Sequence, residues 1–290
     1  MTMTAISETY YVPHATHWSI FGSIGLALIL GGFAMTLNGS ANGEIIMLVG
    51  AAVMVYMLFG WFGAVIAESE SGTYSDQVDM SFRMGMGWFI FSEVMFFAAF
   101  FGALFYIRNL SVPWLGGEGA GGQDSAILWP GYQAIWPTNG PGDIGGEFEV
   151  IPAFGLPALN TLILLSSGVT VTLAHWAMKK DNRRALILWL FSTIALGVLF
   201  LGLQASEFHE AYSELNLTLG SGVYGSTFFM LTGFHGLHVT LGVIMLSVIE
   251  VRCIRGHFQP DHHFAFEAVS WYWHFVDVVW LGLFIFVYWL

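Results

Sequence analysis

Arg83-Met-Gly-Met-Gly-Trp-Phe-Ile-Phe-Ser-Glu-Val-Met-Phe-Phe-Ala-Ala-Phe-Phe-Gly-Ala-Leu-Phe-Tyr-Ile-Arg108 is the stretch that decides the fold. Its apolar and aromatic run is long enough to cross a bilayer as a helix, and it carries a single carboxylate, Glu93, near its middle. An ionisable group there costs about 2.5–3.5 kcal/mol on insertion scales, so its default meaning is functional. The helical neighbours of Glu93 at three and four residues' distance are Phe89, Ile90, Phe96 and Phe97, and none is a charge partner. A partner for Glu93 is expected from another helix.

The surrounding composition agrees with a membrane setting. The 290 residues are 56% hydrophobic and only 10% charged, with a mean hydropathy of +0.68. Soluble domains average about 25% charged residues. The formal net charge is −12, and no basic patch exists to neutralise phosphates, which excludes nucleic acid as a partner. Cys253 is the only cysteine, so neither an intrachain disulfide nor a thiolate metal site is expected. Residues 1–17 hold no Lys or Arg, so they lack the basic segment of a signal peptide, and the first span is expected to be retained.

Apolar windows of about 20 residues predict seven transmembrane helices, at 18–37, 45–67, 82–107, 156–178, 184–206, 223–251 and 266–289. Asn38-Gly-Ser-Ala-Asn-Gly43 makes a tight polar break after the first. An acidic, polar connection starting at Glu68-Ser-Glu-Ser-Gly72 follows the second. The expected division is therefore 1–75, an N-terminal tail with helices one and two, and 76–290, with helices three to seven. Residues 109–155 form the long loop, whose Pro and Gly forbid long regular elements. Its Trp129-Pro130 and Trp136-Pro137 pairs suit a cover at the interface, where Trp is favoured. A partner-binding loop is the alternative.

Seven of the eight basic residues, Arg83, Lys179, Lys180, Arg183, Arg184, Arg252 and Arg255, fall on one side, with Arg108 opposite. The positive-inside rule then places the N-terminus in the cytoplasm and the C-terminus outside. Glu118, Asp124, Asp143, Glu147, Glu149, Glu210 and Glu214 crowd the outer face. Such a face can steer a basic partner or serve simply as a solvated surface.

Inside the spans lie Glu93, His175, His235, His238, His274 and Asp277, with Glu207 and Glu267 near helix ends. His235 and His238 share a helical face, a spacing compatible with metal or haem ligation. Paired haems need two histidines on each of two helices, and membrane di-iron sites need several histidine clusters. Neither count is met, so these histidines are expected to be buried, hydrogen-bonded links between helices. His274 and Asp277 are spaced to pair on one helix, as a structural pair or as a proton relay. Gly225, Gly233, Gly236 and Gly242, with Ser166, Ser167 and Gly168, are placed for close helix packing. No internal repeat of the transporter kind is present, and no catalytic or metal-binding set is assigned.

Longer motifs run through nearly the whole chain in one order. They are Phe82-Arg-Met-Gly-Met with Ser92-Glu93 and Phe96-Phe97, then Leu159-Asn-Thr-Leu with Ser167-Gly-Val-Thr and Ala174-His175. Gln204-Ala-Ser-Glu207, Tyr224-Gly-Ser-Thr-Phe-Phe and Thr232-Gly-Phe-His-Gly-Leu-His-Val239 follow. The last are His262-His-Phe, Phe266-Glu-Ala and Trp271-Tyr-Trp-His-Phe-Val-Asp-Val-Val-Trp280. In these motifs the chain resembles subunit III of haem–copper cytochrome c oxidases. Third subunits of quinol oxidases resemble the last five helices and usually lack the first two.

The resemblance implies an all-α, polytopic membrane subunit, with a two-helix hairpin and a five-helix bundle arranged in a V and phospholipids in the cleft. It implies a non-catalytic role beside subunit I, with subunit II in the same complex. That role is stabilising subunit I and supporting its proton uptake. Haem a, haem a3 and copper belong to the partner subunits, and cytochrome c is the electron donor. The setting implied is a bacterial inner membrane, with the C-terminus periplasmic. The family's intramembrane carboxylate falls on Glu93, and its lipid contacts map to Trp61, Glu68, Arg252, Arg255 and His257. Two interfacial cations suit anionic head groups, at about 1 kcal/mol each. Gly60-Trp-Phe-Gly-Ala-Val-Ile-Ala-Glu68 departs from the family, which often carries a second Trp and basic residues there. The competing possibilities are a third subunit of a quinol oxidase and a stand-alone proton-coupled transporter using Glu93 and Asp277.

Overall fold

The computed structural model describes residues 11–12, 16–119 and 121–290. Among them the regular structure is helical, apart from one bridged pair, Gln259 and His262. The seven expected spans are present as helices long and apolar enough to cross a membrane. They are α1 Trp18–Leu37, α2 Gly43–Glu70, α3 Asp76–Tyr106, α4 Leu156–Lys179, α5 Arg183–Ser213, α6 Gly222–Arg255 and α7 Phe264–Leu283. The chain is an all-α, multi-pass membrane protein.

Several helices outrun their apolar windows. α3 begins at Asp76 and α5 continues to Ser213, because helical backbone satisfies its own hydrogen bonds in water as in lipid. Hydropathy marks only the part in hydrocarbon. The expected loop at 109–155 is corrected in the same way. α3 widens into a π-helical turn at Ile107–Ser111 and resumes at Val112–Leu115, with Pro113 in its first positions where no N–H is required. Beyond it, among the described residues, lies the four-residue helix Ser125–Leu128 before α4. α1 and α6 end on glycines at positive φ, Gly39 at 75° and Gly256 at 86°. In each case the next two N–H groups reach back to the last turn's carbonyls, Gly39 to Thr36 and Ser40 to Met35, Gly256 to Cys253 and His257 to Arg252.

Contacts divide the chain into two compact units, residues 1–84 and 85–290. In the first, α1 and α2 pack backbone to backbone. A Cβ on Gly32 would fall 2.6 Å from the Met47 amide nitrogen, and one on Gly50 2.7 Å from that of Ile29. Gly25 and Gly43 lie one heptad from these positions in the same seam. No hydrophobic effect drives helices together in lipid, so here small residues that let the backbones approach and gain dispersion take its place.

The second unit is built on α7. Trp273 and Trp280 are fully buried and donate their indole N–H groups to α4, Trp273 to Ser167 Oγ and Trp280 to Thr161 Oγ1, both at 2.9 Å. α5 joins through Thr170 and Thr193, 2.7 Å apart. Gly242 and Gly197 make room for the Trp273 ring, and Gly168 for the Asp277 carboxylate. Gly233 and Gly236, expected at packed positions, have no neighbour within reach of a Cβ, so close packing does not extend to that side of α6. The loop before α4 is tied to the turn before α6. Glu149 N–H donates to Leu215 O, the Asn216 amide to Gly145 O and Glu147 O, and Phe148 stacks on Tyr224 at 5.5 Å.

The hairpin seam has a direct test. Gly32→Val forces a branched side chain into backbone and should cost about 1–3 kcal/mol, seen as a lowered thermal midpoint in detergent. An unchanged midpoint would show that the seam is not tight.

Candidate functional site

Glu93 has its partner. Its Oε2 lies 2.8 Å from His238 Nε2 on α6. His238 Nδ1 is 2.6 Å from the Phe234 carbonyl, one turn back on the same helix. A carbonyl only accepts, so Nδ1 carries a hydrogen. Nε2 and the carboxylate therefore share one further proton, either as imidazolium with carboxylate or as imidazole with carboxylic acid. In both arrangements the pair holds a proton in the hydrocarbon layer. Phe96 and Phe97 flank the imidazole, at ring distances of 5.9 and 4.9 Å, and the Tyr272 hydroxyl donates to His238 O at 3.4 Å.

His235 and His238 share a face of α6 but serve different helices. His235 is 1% exposed, with Nε2 3.2 Å from Val276 O on α7 and its ring against Phe200 and Trp280. The two therefore bind α7 and α3 separately and do not converge on a common ligand. The His274–Asp277 pair is only half buried. Asp277 is 6% exposed, whereas the His274 side chain is 46% exposed, 3.6 Å from Asp277 Oδ2 and 3.3 Å from Thr172 Oγ1. The expectation of a buried His274 is thus corrected: three residues of helix turn Asp277 inward and leave His274 on the rim.

Two arrangements escape a reading along the chain. Glu207 is 1% exposed and accepts from the Tyr288 hydroxyl at 2.6 Å and from the Gln204 amide at 3.2 Å. His175, expected as a buried link, is partly buried and meets His263, just before α7, and Glu267 of α7, all three donor atoms lying within 4.8 Å of one another. A carboxylate one turn from a conspicuous aromatic run was the available signal for Glu267. Nothing local pairs it with His175.

The residues expected at lipid differ in placement. Trp61 is exposed and stacks on Phe62. Glu68 already accepts from the Tyr74 hydroxyl at 2.8 Å. Burial, then the Glu68 carboxylate, holds the Tyr74 phenol above its ordinary value. Arg255 is exposed and His257 partly so. Arg252 is 7% exposed, with its guanidinium 4.4 Å over the Phe258 ring. Its helix position faces the loop after α6.

A family model described as cytochrome c oxidase subunit III matches residues 8–118 and 128–290. The cytochrome c oxidase subunit 3 of Hippopotamus amphibius is 39% identical over 288 residues, 99% of each chain. Those of Dugong dugon and Equus caballus are 38% identical over the same share. The chain belongs to the cytochrome c oxidase subunit III family. Within this subunit III, the motif from Trp271 to Trp280 supplies both indoles that bind α4, together with Asp277 and His274. The Thr232–Val239 motif supplies both histidines that tie α6 to its neighbours.

His238→Ala should leave the Glu93 carboxyl without its partner, costing about 1–3 kcal/mol. Infrared spectra should then show a protonated carboxyl band that disappears in the His238→Ala, Glu93→Gln double variant. A band indifferent to Glu93→Gln would place that proton elsewhere.

Proposed function

We propose that the chain is the non-catalytic subunit III of a proton-pumping cytochrome c oxidase. In it the chain stabilises subunit I and supports proton uptake there. The observation that carries this is the Glu93–His238 pair. A carboxylate that hydrogen-bonds a histidine from another helix, walled by Phe96 and Phe97, holds helices together and keeps a proton. It does not present a nucleophile or an open ligand position. Asp277 and Glu207 are likewise engaged by side chains of the subunit itself. In this proposal haem a, haem a3 and copper reside in the partner subunits, subunit II shares the complex, and cytochrome c delivers the electrons.

The setting is proposed as a bacterial inner membrane, with the N-terminus cytoplasmic and the C-terminus periplasmic. Support for the orientation comes from the cations at the α4–α5 turn and at the end of α6, which a cytoplasmic face favours. Phospholipid is proposed at Trp61 in the first unit. In the second it is proposed at Arg255 and His257, where an exposed cation sits at the end of a span. Arg252 acts there through packing under Phe258.

Three measurements bear on this. Purification in mild detergent should yield the chain together with haem- and copper-bearing subunits; isolation as a lone protein would sink the proposal. Glu93→Gln should leave assembly and initial oxygen consumption largely unchanged, because the redox centres lie in other subunits, and complete loss of initial activity would overturn that role. Arg255→Ala should lower the phospholipid retained by the purified complex, read by mass spectrometry, and unchanged content would remove Arg255 from the lipid contacts.

A further inference from the structure

We propose that Asn160, Gln204 and Glu207 form a closed hydration site, in which ordered water links α4 to α5 and to the π-helical turn Phe284–Trp289 that extends α7. The three residues are 0%, 4% and 1% exposed. Glu207 Oε1 is fully used, accepting from the Tyr288 hydroxyl at 2.6 Å and from the Gln204 amide at 3.2 Å. Glu207 Oε2, Gln204 Oε1 and both polar atoms of Asn160 are buried with no hydrogen-bond partner among the described residues. An unpaired buried polar atom carries its whole desolvation penalty, and native interiors rarely tolerate several together.

The fold brings these atoms to one level. Thr170 and Thr193 meet at 2.7 Å across α4 and α5, which run antiparallel through the short turn between Lys179 and Arg183. Counted equally back along α4 and forward along α5 from that contact, Asn160 falls level with Leu203, beside Gln204. Thr161, the next residue on α4, accepts from the Trp280 indole. The Trp280 ring lies 4.7 Å from Phe200 on α5 and 5.9 Å from Tyr288, the residue that donates to Glu207. Asn160 thus borders the volume around the Tyr288–Glu207 hydrogen bond.

Water is the ligand that fits this set. The unpaired atoms are three acceptor oxygens and one amide NH2, so the ligand must both donate and accept. One water can donate to Glu207 Oε2 and Gln204 Oε1 while accepting from Asn160 Nδ2, and buried waters make about three hydrogen bonds. Asn160 Oδ1 then takes a second water. A metal cation would suit the oxygens and be repelled by the amide hydrogens. The Asn and Gln amides turn about broad terminal torsions, so they can open to water without moving backbone. Aromatic rings close the site toward the loop before α4. Trp136 and Phe148 lie 5.6 and 5.5 Å from Tyr224, Tyr224 stacks on Phe228, and Phe228 meets Tyr288 at 5.4 Å.

The test uses the protein as purified with its partner subunits. A map of the wild-type complex, at a resolution that shows water, should carry a peak within hydrogen-bond reach of Asn160, Gln204 and Glu207. No peak there, or Asn160 Nδ2 bonded directly to Glu207 Oε2, overturns the site. Asn160→Leu, close to asparagine in size, answers independently through the sign of its effect. An amide without any partner is better removed, so without bound water the thermal midpoint in detergent should hold or rise. With bound water, the variant takes away one of its anchors beside Glu207 and Gln204, and the midpoint should fall. A held or raised midpoint overturns the site. A variant that does not assemble leaves the decision to the wild-type map.

Discussion

Hydrocarbon offers no water, so each polar group within it must find a partner in protein. That constraint shapes the 85–290 unit. The two indole N–H groups of α7 are buried beside α4, and each takes a hydroxyl there. The hydroxyls belong to Ser167 and Thr161, which also donate to carbonyls of their own helix. Each residue thus serves its own helix and its neighbour, and helices so joined cannot slide without exposing an indole. Val276, on the same helix, lends its carbonyl to His235. α7 is accordingly the member to which α4 and α6 are both bonded.

Close approach is the complement of that bonding. Large rings need space, and glycines supply it: Gly197 and Gly242 accommodate Trp273, and Gly168 accommodates Asp277. Among the described residues the α1–α2 hairpin uses the same device with no side-chain hydrogen bond between the two helices, through Gly25, Gly32, Gly43 and Gly50. Two solutions to helix association in lipid therefore operate in one chain. The hairpin relies on dispersion between backbones, and the larger unit adds directed hydrogen bonds.

The pair of Glu93 and His238 shows where these demands meet function. A proton shared between a carboxylate and an imidazole in a phenylalanine cage is stabilising only while both partners stay in register. The proposed supporting role follows from that stability. The triangle of His175, His263 and Glu267 lies at the helix ends instead, less deeply enclosed.

Much of this was legible along the chain. Seven apolar windows mark seven helices, because a span must be apolar over its whole length whatever it packs against. The break after the first span, Asn38 to Gly43, was likewise visible as a local polar turn, and Glu93 announced itself by its cost. The partner of Glu93 was not legible. His238 is 145 residues away, and either histidine of the α6 motif has the right chemistry. Likewise His175 and His263 are separated by 88 residues, so no spacing rule links them. The extent of α3 to Leu115, the burial of Arg252 and the exposure of His274 depended on which neighbour each face met. The sequence by itself determined the number of helices, their membrane setting and the family, since these rest on local hydropathy and on ordered motifs. Only the tertiary structure decided which polar atoms face one another, because hydrogen bonding and coordination depend on distances of a few ångströms between residues far apart in the chain.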